Sequence, residues 1–189
     1  MNPLYQAALE VQEFLRERKW PFCIIGGLAV ERWGQPRTTQ DVDITLFTGF
    51  GSEEEYVREV LSRFAPRIED AHRFALENRV LLARASNGVA LDIALGGIPF
   101  EEQAVTRATP FQFAPGVSLI TCSAEDFVVL KAFAARDQDW LDIEGVLLRQ
   151  AGRLDWKYVV EQLKPLCELK GEPEIVTRLH HLRGKTEEG

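Results

Sequence analysis

Apolar residues recur three and four apart at the start of the chain. Leu4, Ala7, Ala8, Val11, Phe14 and Leu15 mark one face of an amphipathic helix over residues 3–18, with Pro3 in its first turn. The period then changes. Phe22, Cys23, Ile24 and Ile25 form a short apolar run closed by Gly26 and Gly27, which predicts a buried strand, a tight turn and a short helix over 28–33. Gly34 and Pro36 stop that helix, and residues 41–47 (DVDITLF) alternate polar with apolar as a strand with one buried face does. Ser52 and Glu55 have capping-box spacing ahead of a helix striped by Tyr56, Val57, Val60, Leu61 and Phe64. A short helix is expected over 70–78. Residues 80–85 and 89–95 read as two strands joined through Ser86, Asn87 and Gly88, because Asn-Gly accepts the positive φ of a hairpin turn. Residues 99–107 read as helix, and 111–121 as one or two short edge strands around Pro115 and Gly116.

From Ser123 onward the period is helical throughout. Ser123 is a cap with Glu125 and Asp126 in the first turn behind it, and further helices are expected at 137–150, 155–168 and 173–183. The expectation is an α/β (α+β) half with a mixed sheet, residues 1–122, and a helical half, residues 123–189.

Composition narrows the class. Of 189 residues, 46% are hydrophobic and 27% charged, a globular balance that excludes a disordered chain or a rod. The 29 acidic residues outnumber 22 basic ones, and a net charge of -7 argues against coating of duplex nucleic acid. Cys23, Cys122 and Cys167 fit neither a disulfide framework nor zinc spacing and are expected as buried, reduced thiols. Glu10, Glu13 and Glu17 make the first helix unlike a secretory signal, and the apolar run 127–135 is broken by Lys131 and short of the roughly 20 residues of a membrane span. A cytoplasmic location without a membrane partner is expected. His180 and His181 have no ligand partner at metal spacing, and a surface position is expected for both.

Chemistry concentrates in three carboxylates. Asp41 and Asp43 lie two apart on one strand, so they leave the same face with Cα atoms about 6.6 Å apart. Two like charges on a half-buried sheet repel and are costly to desolvate, and a divalent cation answers both costs. Asp92, in the middle of another strand, adds a third carboxylate. An oxygen-only donor set favours Mg²⁺ or Mn²⁺ over zinc, and three carboxylates suffice for two ions about 3.5 to 4 Å apart, the arrangement used in phosphoryl transfer. Gly26 and Gly27 end a strand and open a helix, so their bare backbone can approach a phosphate.

Residues 23–34 (CIIGGLAVERWG), continued by 36–44 (PRTTQDVDI), resemble the first motif of the DNA polymerase β-like nucleotidyltransferase superfamily. Within it the chain looks most like the AbiEii/AbiGii-type proteins, relatives of minimal nucleotidyltransferases and of toxin components of toxin–antitoxin pairs. The resemblance implies a mixed-sheet nucleotidyltransferase core with a C-terminal helical domain. It implies that Gly26 and Gly27 hold the β- and γ-phosphates of a nucleoside triphosphate, that Asp41 and Asp43 bind magnesium, and that Asp92 completes the metal site and helps deprotonate an acceptor hydroxyl. The implied reaction transfers a nucleoside monophosphate and releases pyrophosphate. The acceptor stays open among a tRNA end, a protein hydroxyl and a small molecule, and an antitoxin or other protein partner is implied. The alternatives are an inactive nucleotide- or partner-binding module of the same fold, or a plain nucleotide hydrolase.

Arg37, Thr38 and Thr39 precede the Asp pair, and Arg37 and Thr39 are candidates for triphosphate contact. Lys131 interrupts an apolar helix, and the family has a lysine in a comparable helix that approaches the nucleotide. Asp142, a further candidate for nucleotide contact beside Lys131, lies eleven residues further on, about 20° round the same helix if that helix is continuous, and a break near Asp137 would separate the two. An ion pair or a helix cap explains Asp142 equally well, and Asp137 and Asp139 are expected to be solvated or capping.

Overall fold

The structure is a computed structural model that describes residues 2–188. They fall into two compact units: residues up to Leu28 together with Thr38–Cys122, and Ala29–Arg37 together with the residues from Ser123 on.

The first unit contains helix α1 (Pro3–Glu17), strand β1 (Phe22–Ile24), the first turn of α2 (Gly26–Trp33), β2 (Asp41–Phe47), α3 (Glu53–Arg63), β3 (Ala65–Pro66), α4 (Ala71–Asn78), β4 (Val80–Arg84), β5 (Ala90–Gly96), α5 (Pro99–Arg107), β6 (Thr109–Ala114) and β7 (Val117–Thr121). The strands form one mixed sheet in the order β3-β4-β5-β2-β1-β7-β6. β2 and β5 run parallel, as do β1 and β7, and the other neighbours are antiparallel. One face carries Ile24, Val42, Ile44, Leu46, Leu81, Leu91, Ile93, Leu95 and Leu119, which join the apolar sides of α1, α3 and α4 in a single buried core. That burial drives the sheet together, at about 25 cal/mol per Å² of apolar surface removed from water. The alternation of β2 and β5 leaves Asp41, Asp43 and Asp92 on the other face, half-buried. Helix α5 packs against β1 and β2, burying Phe100, Ala104 and Val105.

Most predicted elements form within one or two residues of their expected ends, and the exceptions have local causes. α2 begins at Gly26 instead of after the Gly-Gly pair, because Gly26 supplies the φ of +60° at the strand-to-helix turn. Ser52 precedes α3 without a side-chain cap bond; only its carbonyl accepts, from the Glu55 N–H at 3.3 Å. The Asn-Gly turn closes as expected, with Gly88 at φ +85° donating to the Ala85 carbonyl. Residues 109–121 form a hairpin in which only β6 is an edge strand.

The second unit holds the rest of α2 and the chain to Arg37, then α6 (Ala124–Ala134), α7 (Asp137–Gln150), α8 (Trp156–Lys170) and α9 (Glu174–Glu188), which runs five residues beyond its predicted end. Ser123 caps α6 by accepting from the Asp126 N–H at 3.1 Å, as its position predicts. α6 packs against α7, α8 and α9, and its Phe127, Val128, Val129 and Ala132 are buried. The segment 29–37 is tied to the end of α7, where Arg149 donates to the carbonyls of Glu31 and Gly34 and Gln150 to that of Trp33. The three cysteines are buried and unbridged, and burial pushes the Cys167 thiol up. Among the described residues no helix is long and apolar enough to cross a membrane.

Candidate active site

Parallel pairing sets Asp43 directly opposite Asp92, and Asp41 lies two residues back on the same face of β2. Each of the three offers a carboxylate oxygen within 4.8 Å of the others. Two unit charges at that spacing repel by roughly 3.5 kcal/mol at an effective dielectric of about 20, so the cluster is held against a strong opposing field. The oxygen-only donor set and partial burial fit a hard divalent cation such as Mg²⁺ or Mn²⁺.

The Gly-Gly turn lies against this cluster. A Cβ on Gly26 would stand 1.8 Å from Asp43 Oδ2, so only glycine allows the backbone so close to that carboxylate. A Cβ on Gly27 would stand 2.4 Å from Thr39 Oγ1. Thr39 in turn donates to Asp41 Oδ1 at 2.8 Å, which fixes that carboxylate's orientation. The first N–H groups of α2 have no partner within the helix, as at every helix start. Gly26, Gly27, Thr39, Asp41, Asp43 and Asp92 therefore form one constellation, from a turn, a loop and two strands.

A further residue, Arg67, joins this constellation. Arg67 follows the two-residue strand β3, and its Nη1 lies 2.7 Å from Asp92 Oδ1. That oxygen is buried and makes no hydrogen bond of acceptable geometry despite the ion pair. Arg67 is anchored by its own N–H, which donates to the Leu82 carbonyl at 3.0 Å, and Leu82 is the register partner of Asp92. A loop arginine after Ala65 and Pro66 carries no periodic signal that would mark it from sequence.

Arg37, Lys131 and Asp142 come together in a second cluster, within the helical unit. α6 ends at Ala134, and the φ of +58° at Ala135 breaks the helix, so Lys131 and Asp142 do not share one continuous helix. They meet across two: Lys131 Nζ lies 2.8 Å from Asp142 Oδ2 and 2.8 Å from Asp139 Oδ1. Arg37 grips Asp142 with two donors at 2.9 and 3.1 Å, and Gln138 adds a third at 3.0 Å. Asp139 accepts from the Arg136 N–H and side chain, so it caps α7 as expected, but with 1% of its side chain accessible it is not solvated. Asp137 and the two adjacent histidines are exposed. Burial works against ionisation of Asp139, but hydrogen bonds from Arg136 and Lys131 outweigh it and hold the carboxyl below its ordinary range. Asp142 is held low in the same way, against burial, by Arg37, Lys131 and Gln138.

No protein-family model and no curated protein matches the sequence. Solved structures do. The antibiotic-resistance factor ANT(2'')-Ia is similar over 94% of this chain and 96% of its own, with a TM-score of 0.53 and 18% identity. An antigenic nucleotidyltransferase-like protein from Paracoccidioides brasiliensis is similar over 94% and 92%, with a TM-score of 0.50 and 15% identity. A likeness spanning nine-tenths of both partners, on a mixed sheet followed by helices, shows that this chain has the nucleotidyltransferase fold.

Proposed function

We propose that this protein is a divalent-metal-dependent nucleotidyltransferase that moves a nucleoside monophosphate from a triphosphate to a hydroxyl acceptor. The observation that carries the reading is the register of Asp43 against Asp92, with Asp41 on the same face and the three carboxylates within 4.8 Å. The nucleotidyltransferase fold and the glycine turn beside Asp43 support it.

Asp41 and Asp43 would hold the cation and Asp92 would complete the site, with Thr39 orienting Asp41 and leaving its second oxygen open. When bound, Mg²⁺ or Mn²⁺ supplies charge neutralisation of the triphosphate and acidifies the attacking hydroxyl. Gly26 and Gly27 would present backbone N–H groups to the β- and γ-phosphates without steric obstruction. Asp92 would take the acceptor's proton as its oxygen attacks the α-phosphorus, and the bond to pyrophosphate breaks in line. Arg37, Lys131 and Asp142 are already engaged with one another, and a nucleotide contact by Lys131 would require it to leave two carboxylates. In this reading their network holds α6, α7 and the 29–37 segment together.

The test is incubation with each α-labelled nucleoside triphosphate, Mg²⁺ and cell extract, fractionated into RNA, protein and small molecules. One fraction should carry label, and Asp43→Asn should reduce it to background. The labelled fraction identifies the acceptor class, including any toxin-like action on RNA or protein. Tight triphosphate binding without label would identify a binding module instead, and phosphate or pyrophosphate release without label a hydrolase.

A further inference from the structure

Arg67 holds a fixed positive charge on the one carboxylate of the acidic cluster that comes from β5. Its place is set by the sheet: the backbone bond to Leu82 puts it beside the register partner of Asp92. Its side chain is 23% accessible and that of Asp92 31%, so solvent screens the pair only in part. The ion pair is made to Oδ1, a buried oxygen with no hydrogen-bond partner. A cation that draws on Asp92 must therefore bind next to a guanidinium that never loses its charge.

We propose that Arg67 weakens divalent-cation binding at Asp92, so that the cation position drawing on this carboxylate fills only when a triphosphate brings its own negative charge. The inference rests on the metal-binding reading of the acidic triad. Asp41 and Asp43 lie on β2, whereas the carboxylate that Arg67 contacts comes from the neighbouring β5, so a cation held by the β2 pair alone depends less on Arg67. Arg67 is thus a charge-balancing residue that couples occupancy of the metal site to the nucleotide. It keeps Asp92 paired in the nucleotide-free protein, where an unpaired buried oxygen would be costly.

The experiment is Mn²⁺ titration of the full chain, followed by electron paramagnetic resonance, with and without a non-hydrolysable triphosphate analogue. Arg67→Gln should bind Mn²⁺ at least about tenfold tighter than the parent without nucleotide, since removing a unit charge from beside a divalent ion gives roughly that factor under full water screening and a larger one where screening is partial. Arg67→Glu should bind tighter still. The enhancement by the analogue should shrink in the same order. Circular dichroism melts confirm that each variant is folded, and the rank order of two variants keeps the test decisive if one is destabilised. Unchanged or weaker Mn²⁺ binding in both variants would overturn the proposal and leave Arg67 as a structural anchor. Asp43→Asn is the separate control: if it retains parental Mn²⁺ binding, the metal-binding reading itself fails, whatever the Arg67 variants do.

Discussion

At Gly26 two requirements fall on one residue: a φ of +60° and the absence of a Cβ that would otherwise overlap the Asp43 carboxylate. Gly26→Ala should cost roughly 1 to 2 kcal/mol for the left-handed backbone alone, and more because Asp43 must move. Denaturant unfolding should report that loss, and Mn²⁺ titration should show weaker binding in the protein that remains folded. Gly26 is legible in sequence because a glycine pair between a strand pattern and a helix pattern has few physical reasons to exist. Thr39 is legible only by position, and its bond to Asp41 emerges from the loop's path. Arg67 leaves no trace in the sequence, since its role depends on a strand of two residues placing it beside β4.

Among elements, β2 and β5 show how far a periodic pattern reaches. Alternation tells which face each aspartate takes, because a slip of one residue would expose the apolar side. A slip of two would keep every apolar residue inside, so alternation alone does not choose Asp43 as the partner of Asp92; the pairing of the whole sheet does. α6 and α7 teach the converse. Lys131 and Asp142 are close, yet through a helix break that brings two faces together and not through helical period. Lys131 has 9% of its side chain accessible and serves two buried carboxylates. Lys131→Met should therefore destabilise the protein by about 3 to 5 kcal/mol, the cost of leaving buried charge with less compensation. Urea unfolding checks this, and adding Asp139→Asn to the variant should recover part of the loss.

For the molecule as a whole, the same network sets an acid limit. The carboxyls of Asp139 and Asp142 are held below their ordinary value in the folded state, whereas the unfolded chain titrates near about 3.9. Their contribution to stability is complete above that unfolded value and is lost as pH falls through the lower folded values. Melting temperature should be insensitive to these two groups between about pH 5 and 8 and should drop below about pH 4. Asp142→Asn should flatten the drop, as calorimetry across pH would show. The sequence by itself determined every element except the two-residue β3, the buried face of the alternating strands, the oxygen-only character of the acidic cluster and the glycine turn. All of these follow from local period, from turn chemistry and from which side chains are charged. Tertiary structure alone decided the Asp43–Asp92 register, the approach of Arg67, and the exchange of partners among Lys131, Asp139, Asp142 and Arg37. Those pairings join residues distant along the chain, and they are chosen by the packing and pairing energy of the assembled sheet and helices, which no short window of sequence contains.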